Sequence, residues 1–232
     1  MFIIELAGVR IRIENQYPYL EHQCRDYIRQ GDDYAFSVLV TEEEILKEQQ
    51  SGDFSSGYCE SICAYRHICE ILPSYNVFLM HSSVIEVDGY AYAFTAKSGV
   101  GKSTHTALWL KNIPHARVLN GDKPLYRLES DGSLNVFGTP WNGKEGWGEN
   151  ISAPLAAICF IERGPINTIR PATEDDTIGR LMHQLYLRGS RASVAQQLIL
   201  MDALVRAVPY FVLSCNISDE AAQVAWNAMK KL

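Results

Sequence analysis

Tyr90-Ala91-Tyr92-Ala93-Phe94-Thr95-Ala96-Lys97-Ser98-Gly99-Val100-Gly101-Lys102-Ser103-Thr104 decides how this chain is read. The first six residues form an apolar, aromatic run of strand character. Gly99 and Gly101 then let the backbone turn so that its N–H groups face an anion. Ala107-Leu108-Trp109-Leu110 continues as a helix. A strand, a glycine-rich turn and a helix start, in that order, are the context of a phosphate-binding loop. The helix adds its unpaired first-turn amides and the positive end of its dipole. Ala96, Lys97, Ser98, Gly99, Val100, Gly101, Lys102, Ser103 and Thr104 are therefore expected to wrap a nucleotide's phosphates. Lys102 would reach the β- and γ-phosphates, and the Ser103 hydroxyl would ligate Mg²⁺. The spacing fits G-x-x-x-x-G-K-[ST] except that Ala96 stands at the first glycine. Alanine can serve there if φ stays negative. A glycine-rich hairpin turn with a stray Lys-Ser is the competing reading, and the agreeing strand and helix signals disfavour it.

The rest of the composition is compatible with a nucleotide-binding globular protein. A chain of 232 residues can bury a sizeable core, as one domain or a domain with an extension. A net charge of −6, with Lys and Arg scattered, argues against nucleic acid as a partner. No stretch approaches the ~20 apolar residues of a membrane span. Met1-Phe2-Ile3-Ile4-Glu5-Leu6 has no basic start and meets Glu5 at once, unlike a secretory leader. The expectation is a cytoplasmic protein without a membrane partner. A homo-oligomer is compatible with it.

Two segments are expected: an N-terminal α/β extension over 1–75, packed on a core over 76–232 that carries the loop. The extension reads as strands Phe2 to Leu6, Val9 to Ile13 and Phe36 to Val40. A helix then starts at a Thr41/Glu44 capping box, and another runs from Gly57 to Leu72 and stops at Pro73. In the core, Val77 to Met80 is a buried strand. Val84 to Val87 and Tyr90 to Thr95 form a hairpin around Asp88-Gly89. A helix from Lys102 to about Lys111 precedes strands near Arg117 to Leu119, Leu125 to Leu128 and Leu155 to Ile161. The C-terminal third reads as mainly helical, interrupted by Tyr210 to Ser214. Cys59, Cys63 and His67 recur at i, i+4 and i+8, with Cys69 close by. That spacing could place metal ligands on one helix face, but it matches no C-x-x-C pattern. A buried stripe, in which cysteine acts as a small hydrophobe, is the favoured reading.

Asp122 lies 20 residues after Lys102, at the end of the short strand before it, in Asn120-Gly121-Asp122-Lys123. A carboxylate there can ligate a nucleotide's Mg²⁺ or take a proton from an attacking hydroxyl. Alone it would read as a turn aspartate, favoured by the preceding Asn-Gly. The phosphate loop makes a role at the site the better reading. His81 stands one hairpin upstream, 15 residues before Ala96. The hairpin is itself informative, because a Rossmann-like sheet would place a helical crossover before such a strand.

His81-Ser82-Ser83-Val84-Ile85-Glu86-Val87-Asp88-Gly89, then Phe94 to Ser103, then Gly121-Asp122, resemble the catalytic core of HPr kinase/phosphorylase. That core is related to the nucleotide site of phosphoenolpyruvate carboxykinase. The resemblance covers roughly residues 76–165, with weaker similarity from Val208 to Leu213. It implies an α/β fold with a phosphate-loop core of mixed strands and flanking helices. It also implies ATP and Mg²⁺ as cofactors and places His81 near the transferred phosphoryl group. Members of this broader group phosphorylate a seryl hydroxyl on a protein, a precursor peptide or a free amino acid. The chain departs from the pattern in three ways. The family's Asp-Asp pair is reduced to one carboxylate, as Gly121-Asp122 or Asp122-Lys123 depending on the alignment, Lys97 occupies an acidic position, and the C-terminal signature tied to phosphorolysis is missing. HPr itself is therefore disfavoured as substrate.

Gly138 to Asn150 packs four glycines, two tryptophans and a lysine into one inter-strand loop. Such a loop suits a binding lid, with Lys144 on an anion and Trp141 walling the pocket, or a hydrophobic plug over the sheet edge. Arg163, at the end of the next strand, would face the site or solvent. The whole reading is an ATP- and Mg²⁺-dependent kinase acting on a serine hydroxyl. Lys102 would act on the phosphates, Ser103 and Asp122 on the metal, and His81 or Asp122 on the acceptor. Trp141, Lys144 and Arg163 are candidates for the acceptor side. A nucleotide-binding regulatory module or slow NTPase is the alternative.

Overall fold

The computed structural model describes residues 1–230. Two sheets organise them. The first has strand order β1-β2-β3, built from β1 (Phe2–Leu6), β2 (Val9–Glu14) and β3 (Phe36–Leu39). β1 and β2 are antiparallel, and β3 joins β2 in parallel. Apolar residues alternate with part-exposed ones along the hairpin, so one face is apolar. Ile4, Ile11 and Ile13 from that face join Cys59, Cys63, Ala64 and Ile68 of α3 (Ser56–Ile71) in one buried cluster. Between them lie α1 (Pro18–Cys24) and α2 (Glu42–Gln49), the latter opened by the Thr41/Glu44 capping box. The cysteines are thus core residues, and His67 pairs with Glu44 at 2.7 Å. Among the described residues no group of three or more His, Cys, Asp or Glu could hold a metal.

The second sheet is mixed. Its main path is β4-β8-β9-β10-β6-β5-β7, drawn from β4 (Val77–Leu79), β5 (Ser83–Val87), β6 (Tyr90–Thr95), β7 (Arg117–Asn120), β8 (Leu125–Leu128), β9 (Leu134–Phe137) and β10 (Ser152–Arg163). β11 (Thr168–Pro171) and β12 (Tyr210–Cys215) extend it beside β10. β5 and β6 are antiparallel, Ser83 opposite Phe94 and Val87 opposite Tyr90. Asp88 and Gly89 both take left-handed φ, 51° and 87°, as a two-residue hairpin turn demands.

β10 pairs in parallel with both β6 and β12, and antiparallel with β9 at its start. Both faces of these central strands are buried. Ala91, Ala93, Ile158 and Phe160 pack with Leu181 of α5 (Glu174–Leu181) and Leu200 and Leu204 of α6 (Arg191–Ala207). Tyr92, Phe94, Cys159 and Ile161 pack with Trp109 of α4 (Lys102–Asn112) and with alanines of α7 (Glu220–Met229). Such strands read as continuous apolar runs rather than alternating ones. β10 starts three residues earlier than its apolar run, because Ser152 and Pro154 pair only at the rim with β9. α1 was signalled only by Pro18 at its first turn.

His105 lies inside α4 with 2% of its surface exposed. Its Nε2 accepts the Trp109 indole N–H at 3.0 Å, so the ring proton sits on Nδ1, which has no partner. Burial lowers its pKa to about 4, against about 6.5 in an unfolded chain. Between those values only the unfolded chain takes the proton, so stability is expected to fall with pH by about 3 kcal/mol. Chemical denaturation from about pH 7 to about pH 4 measures this. His105→Leu is expected to flatten the fall, and an unchanged slope in that variant would refute the assignment.

Candidate functional site

The loop between β6 and α4 turns through two glycines into the first residue of a helix. Gly99 and Gly101 take φ of 80° and 126°, and the space beside Gly99 is open. Ala96 keeps a negative φ and is almost fully buried, so an alanine closes the loop without backbone strain. Lys102 opens α4 and donates from Nζ to the Ala96 carbonyl at 3.3 Å. Burial lowers its pKa, and the nearby Asp122 charge partly opposes that shift. Arg163, at the end of β10, donates from Nε to the Val100 carbonyl at 3.0 Å and from a second nitrogen to the Gly99 carbonyl. It fixes the peptide planes at the loop's tip, and through them the directions of the loop amides.

Asp122 forms a three-residue charge cluster. Its Oδ1 lies 2.6 Å from His81 Nε2, and its Oδ2 lies 2.6 Å from the Lys123 ammonium. Burial would raise the Asp122 pKa, but the His81 hydrogen bond and the Lys123 charge outweigh it and hold the carboxyl well below the usual range. An ionised carboxylate only accepts, so His81 donates from Nε2, and in the neutral ring the lone pair is then on Nδ1. The scaffold behind this pair is rigid. The Asn120 Oδ1 accepts the N–H groups of Asp122 and Lys123 at 2.9 and 2.7 Å. His81 is held by its own N–H to the Gln184 carbonyl and by the Thr95 hydroxyl on its carbonyl.

These groups face one cavity of 720 Å³, which Lys102, Ser103, His81, Asp122, Lys123 and Lys144 all line. Residues 140–145 form a further wall of it. This segment is a fixed wall, anchored at several points. Trp141 is 3% exposed and stacks on Tyr65 of α3 at 4.1 Å between centroids. Its indole N–H donates to the Ser61 hydroxyl at 2.9 Å. Further along, the Trp147 carbonyl accepts the Gly121 N–H at 2.9 Å. Trp141 therefore plugs the N-terminal core and only borders the cavity, while the Lys144 side chain is 90% exposed at its mouth. Two more cavities flank the loop. One of 720 Å³ is lined by Lys97, Arg163 and α5 residues, and one of 320 Å³ by Thr104, Leu108 and Asn216.

The geometry joins Lys102, Ser103, His81 and Asp122, and puts Trp141 and Lys144 on the same cavity. Arg163 sits behind the loop, on the flanking cavities, and is engaged with loop carbonyls. Three residues that line this cavity escape sequence reasoning. Lys123 pairs with Asp122, and the tyrosines Tyr19 and Tyr58 of the N-terminal helices line the cavity. Lys123 was adjacent to a flagged residue, whereas nothing local marked the tyrosines.

No family model matches the chain, and no curated protein does. Among solved structures, it is similar to the Hpr(Ser) kinase/phosphatase from Coxiella burnetii at 11% identity and a TM-score of 0.39. The match covers 65% of this chain and 89% of that one. No helix among the described residues is long and apolar enough to cross a membrane.

Position 121, beside Asp122, leaves no room for a side chain. A Cβ on Gly121 would sit 2.8 Å from the Asn142 carbonyl oxygen and 3.2 Å from that of Trp147. Both contacts are backbone, so a side chain displaces the wall itself. Gly121→Asp is expected to destabilise the fold by about 1–3 kcal/mol, the usual cost of overpacking, without raising activity. A thermal melt checks this, and a variant as stable as the parent would show that the wall can move.

Proposed function

We propose that this chain is an ATP- and Mg²⁺-dependent kinase that transfers the γ-phosphoryl group to a hydroxyl, that of a serine. The observation that carries this reading is the convergence of Lys102, Ser103 and the His81–Asp122 pair on one cavity. The residues fit the cofactors. The open, positive-φ loop and the head of α4 suit a polyphosphate. Ser103 and Asp122 supply hard oxygen donors, and Mg²⁺ in such sites needs only one or two of these beside the phosphates. The bound ion would neutralise charge on the transferring group.

The chain's own residues divide the remaining work. Lys102 holds the outer phosphates, and Arg163 keeps the loop's peptide planes in place. A strongly acidic carboxylate is a poor base, so Asp122 orients His81 and stays ionised. His81 Nδ1 takes the acceptor's proton as its oxygen attacks the γ-phosphorus and the bond to the β-phosphate oxygen breaks. Catalysis is positioning plus charge neutralisation, as phosphoryl transfer requires.

Mg-ATP at 100 times its Kd is expected to stabilise the fold by about 2.7 kcal/mol, and Lys102→Ala to abolish the shift. No shift at millimolar nucleotide would overturn the reading. Labelled ATP offered with serine and serine peptides tests transfer. Asp122→Asn is expected to lower transfer about 10²-fold or more, and His81→Ala to lower it while Mg-ATP binding persists. Hydrolysis without transfer to any acceptor would favour the nucleotide-sensor alternative.

A further inference from the structure

One wall of the cavity handles no phosphate. It is aromatic and comes from the N-terminal helices. Tyr19 of α1 and Tyr58 of α3 line the cavity that holds Ser103 and Asp122. Their rings meet edge to face at 6.2 Å, and Phe54 lies 5.1 Å from Tyr58. All three stay exposed, at 44%, 37% and 44% for Tyr19, Tyr58 and Phe54. Grouped exposed aromatics mark interaction surfaces, since folding gains nothing from leaving them in water.

The shelf is preorganised. At Gly57 the two helices touch so closely that a Cβ would lie 2.7 Å from the Tyr19 Cβ. The shelf is also tied to the catalytic wall. Gln23 of α1 donates to the Pro140 carbonyl at 3.0 Å, and Trp141 is pinned to Ser61 of α3. At the mouth of the same cavity the Lys144 ammonium is almost fully exposed, with Glu145 as its nearest acid at 4.0 Å. The cavity therefore offers phosphate chemistry in its depth, an aromatic shelf on one wall and a cation at its mouth. A free amino acid would leave the shelf uncovered. An extended peptide advances about 3.3 Å per residue, so side chains flanking the reacting one can reach beyond the phosphate groups.

We infer that the acceptor hydroxyl is carried on a polypeptide segment. It binds extended, with an aromatic or large aliphatic side chain on Tyr19, Tyr58 and Phe54 and an acidic side chain near Lys144. This inference rests on the kinase reading.

A library of short peptides with a fixed central serine and one varied flanking position at a time, phosphorylated with labelled Mg-ATP, tests it. The expected result is selection for aromatic or leucine residues at one flanking position and for Asp or Glu at another. The selected peptide should exceed free serine in kcat/KM by at least about tenfold, and Tyr58→Ser and Phe54→Ser should each remove most of that advantage. Both variants should keep the melt shift given by Mg-ATP, and Lys144→Glu should reverse the acidic preference. Free serine used as well as any peptide, or a Tyr58→Ser enzyme with unchanged selection, would overturn the inference. So would sedimentation showing a dimer that Phe54→Ser dissociates, because the shelf would then be covered by a second copy. Failure of the kinase reading has a different signature: no melt shift with Mg-ATP, or label released to water with every peptide and with serine alike.

Discussion

The buried amide of Asn120 is the joint on which the rest of the site depends. It is fully buried at the end of β7. Its oxygen collects the backbone N–H groups of Asp122 and Lys123, and its nitrogen donates to the carbonyl and hydroxyl oxygens of Thr139. One side chain thus sets the turn that presents the carboxylate and fastens the start of the 138–150 wall. A buried polar group with every bond satisfied specifies one arrangement, because any other leaves donors and acceptors unpaired. Aspartate at this position would lose the donors to Thr139, and leucine would lose both sets.

That joint explains how a small charge cluster stays ordered. Asp122 accepts a hydrogen bond on each oxygen, from His81 and from the Lys123 ammonium, and its backbone carbonyl accepts the Ser82 N–H at 3.2 Å. The Lys123 carbonyl accepts both the Tyr65 and the Thr139 hydroxyl, each at 2.8 Å. The N-terminal helix α3 therefore reaches the Asp122 turn directly. Val77, Leu125 and Trp141 likewise belong to the buried cluster of the first sheet. The two sheets share a core beside that turn.

What was legible in the sequence was local. The β6–loop–α4 unit, the Asp88-Gly89 turn and the Thr41 capping box each follow from residues a few positions apart, whose propensities and hydrogen bonds act within one turn. His81 and Asp122 were legible as candidates because their spacing from the loop matched a known pattern. What escaped was long-range. Trp141 looked like a pocket residue from its glycine-rich surroundings, yet its partner Tyr65 lies 76 positions away. Gly121 read as an ordinary turn glycine or as one of two places for a second carboxylate, and only packing against the 142–147 backbone shows why no side chain fits there. β11 is short, largely exposed and at the sheet's edge, so no apolar pattern announced it.

The hairpin of β5 and β6 has a consequence for assembly. His81 precedes one strand and the phosphate loop follows the other, so antiparallel pairing brings them together, with the Thr95 hydroxyl on the His81 carbonyl at 2.9 Å. The two-residue turn that makes this contact lies at the opposite end of the strands. His81 and the glycine-rich loop are therefore joined by a short-range tertiary contact, 14 positions apart. Closing so small a loop costs little entropy and is fast. The half of the candidate site that carries the loop and His81 can form as a local unit, whereas the 138–150 wall waits for α3 and that segment to find each other across the chain.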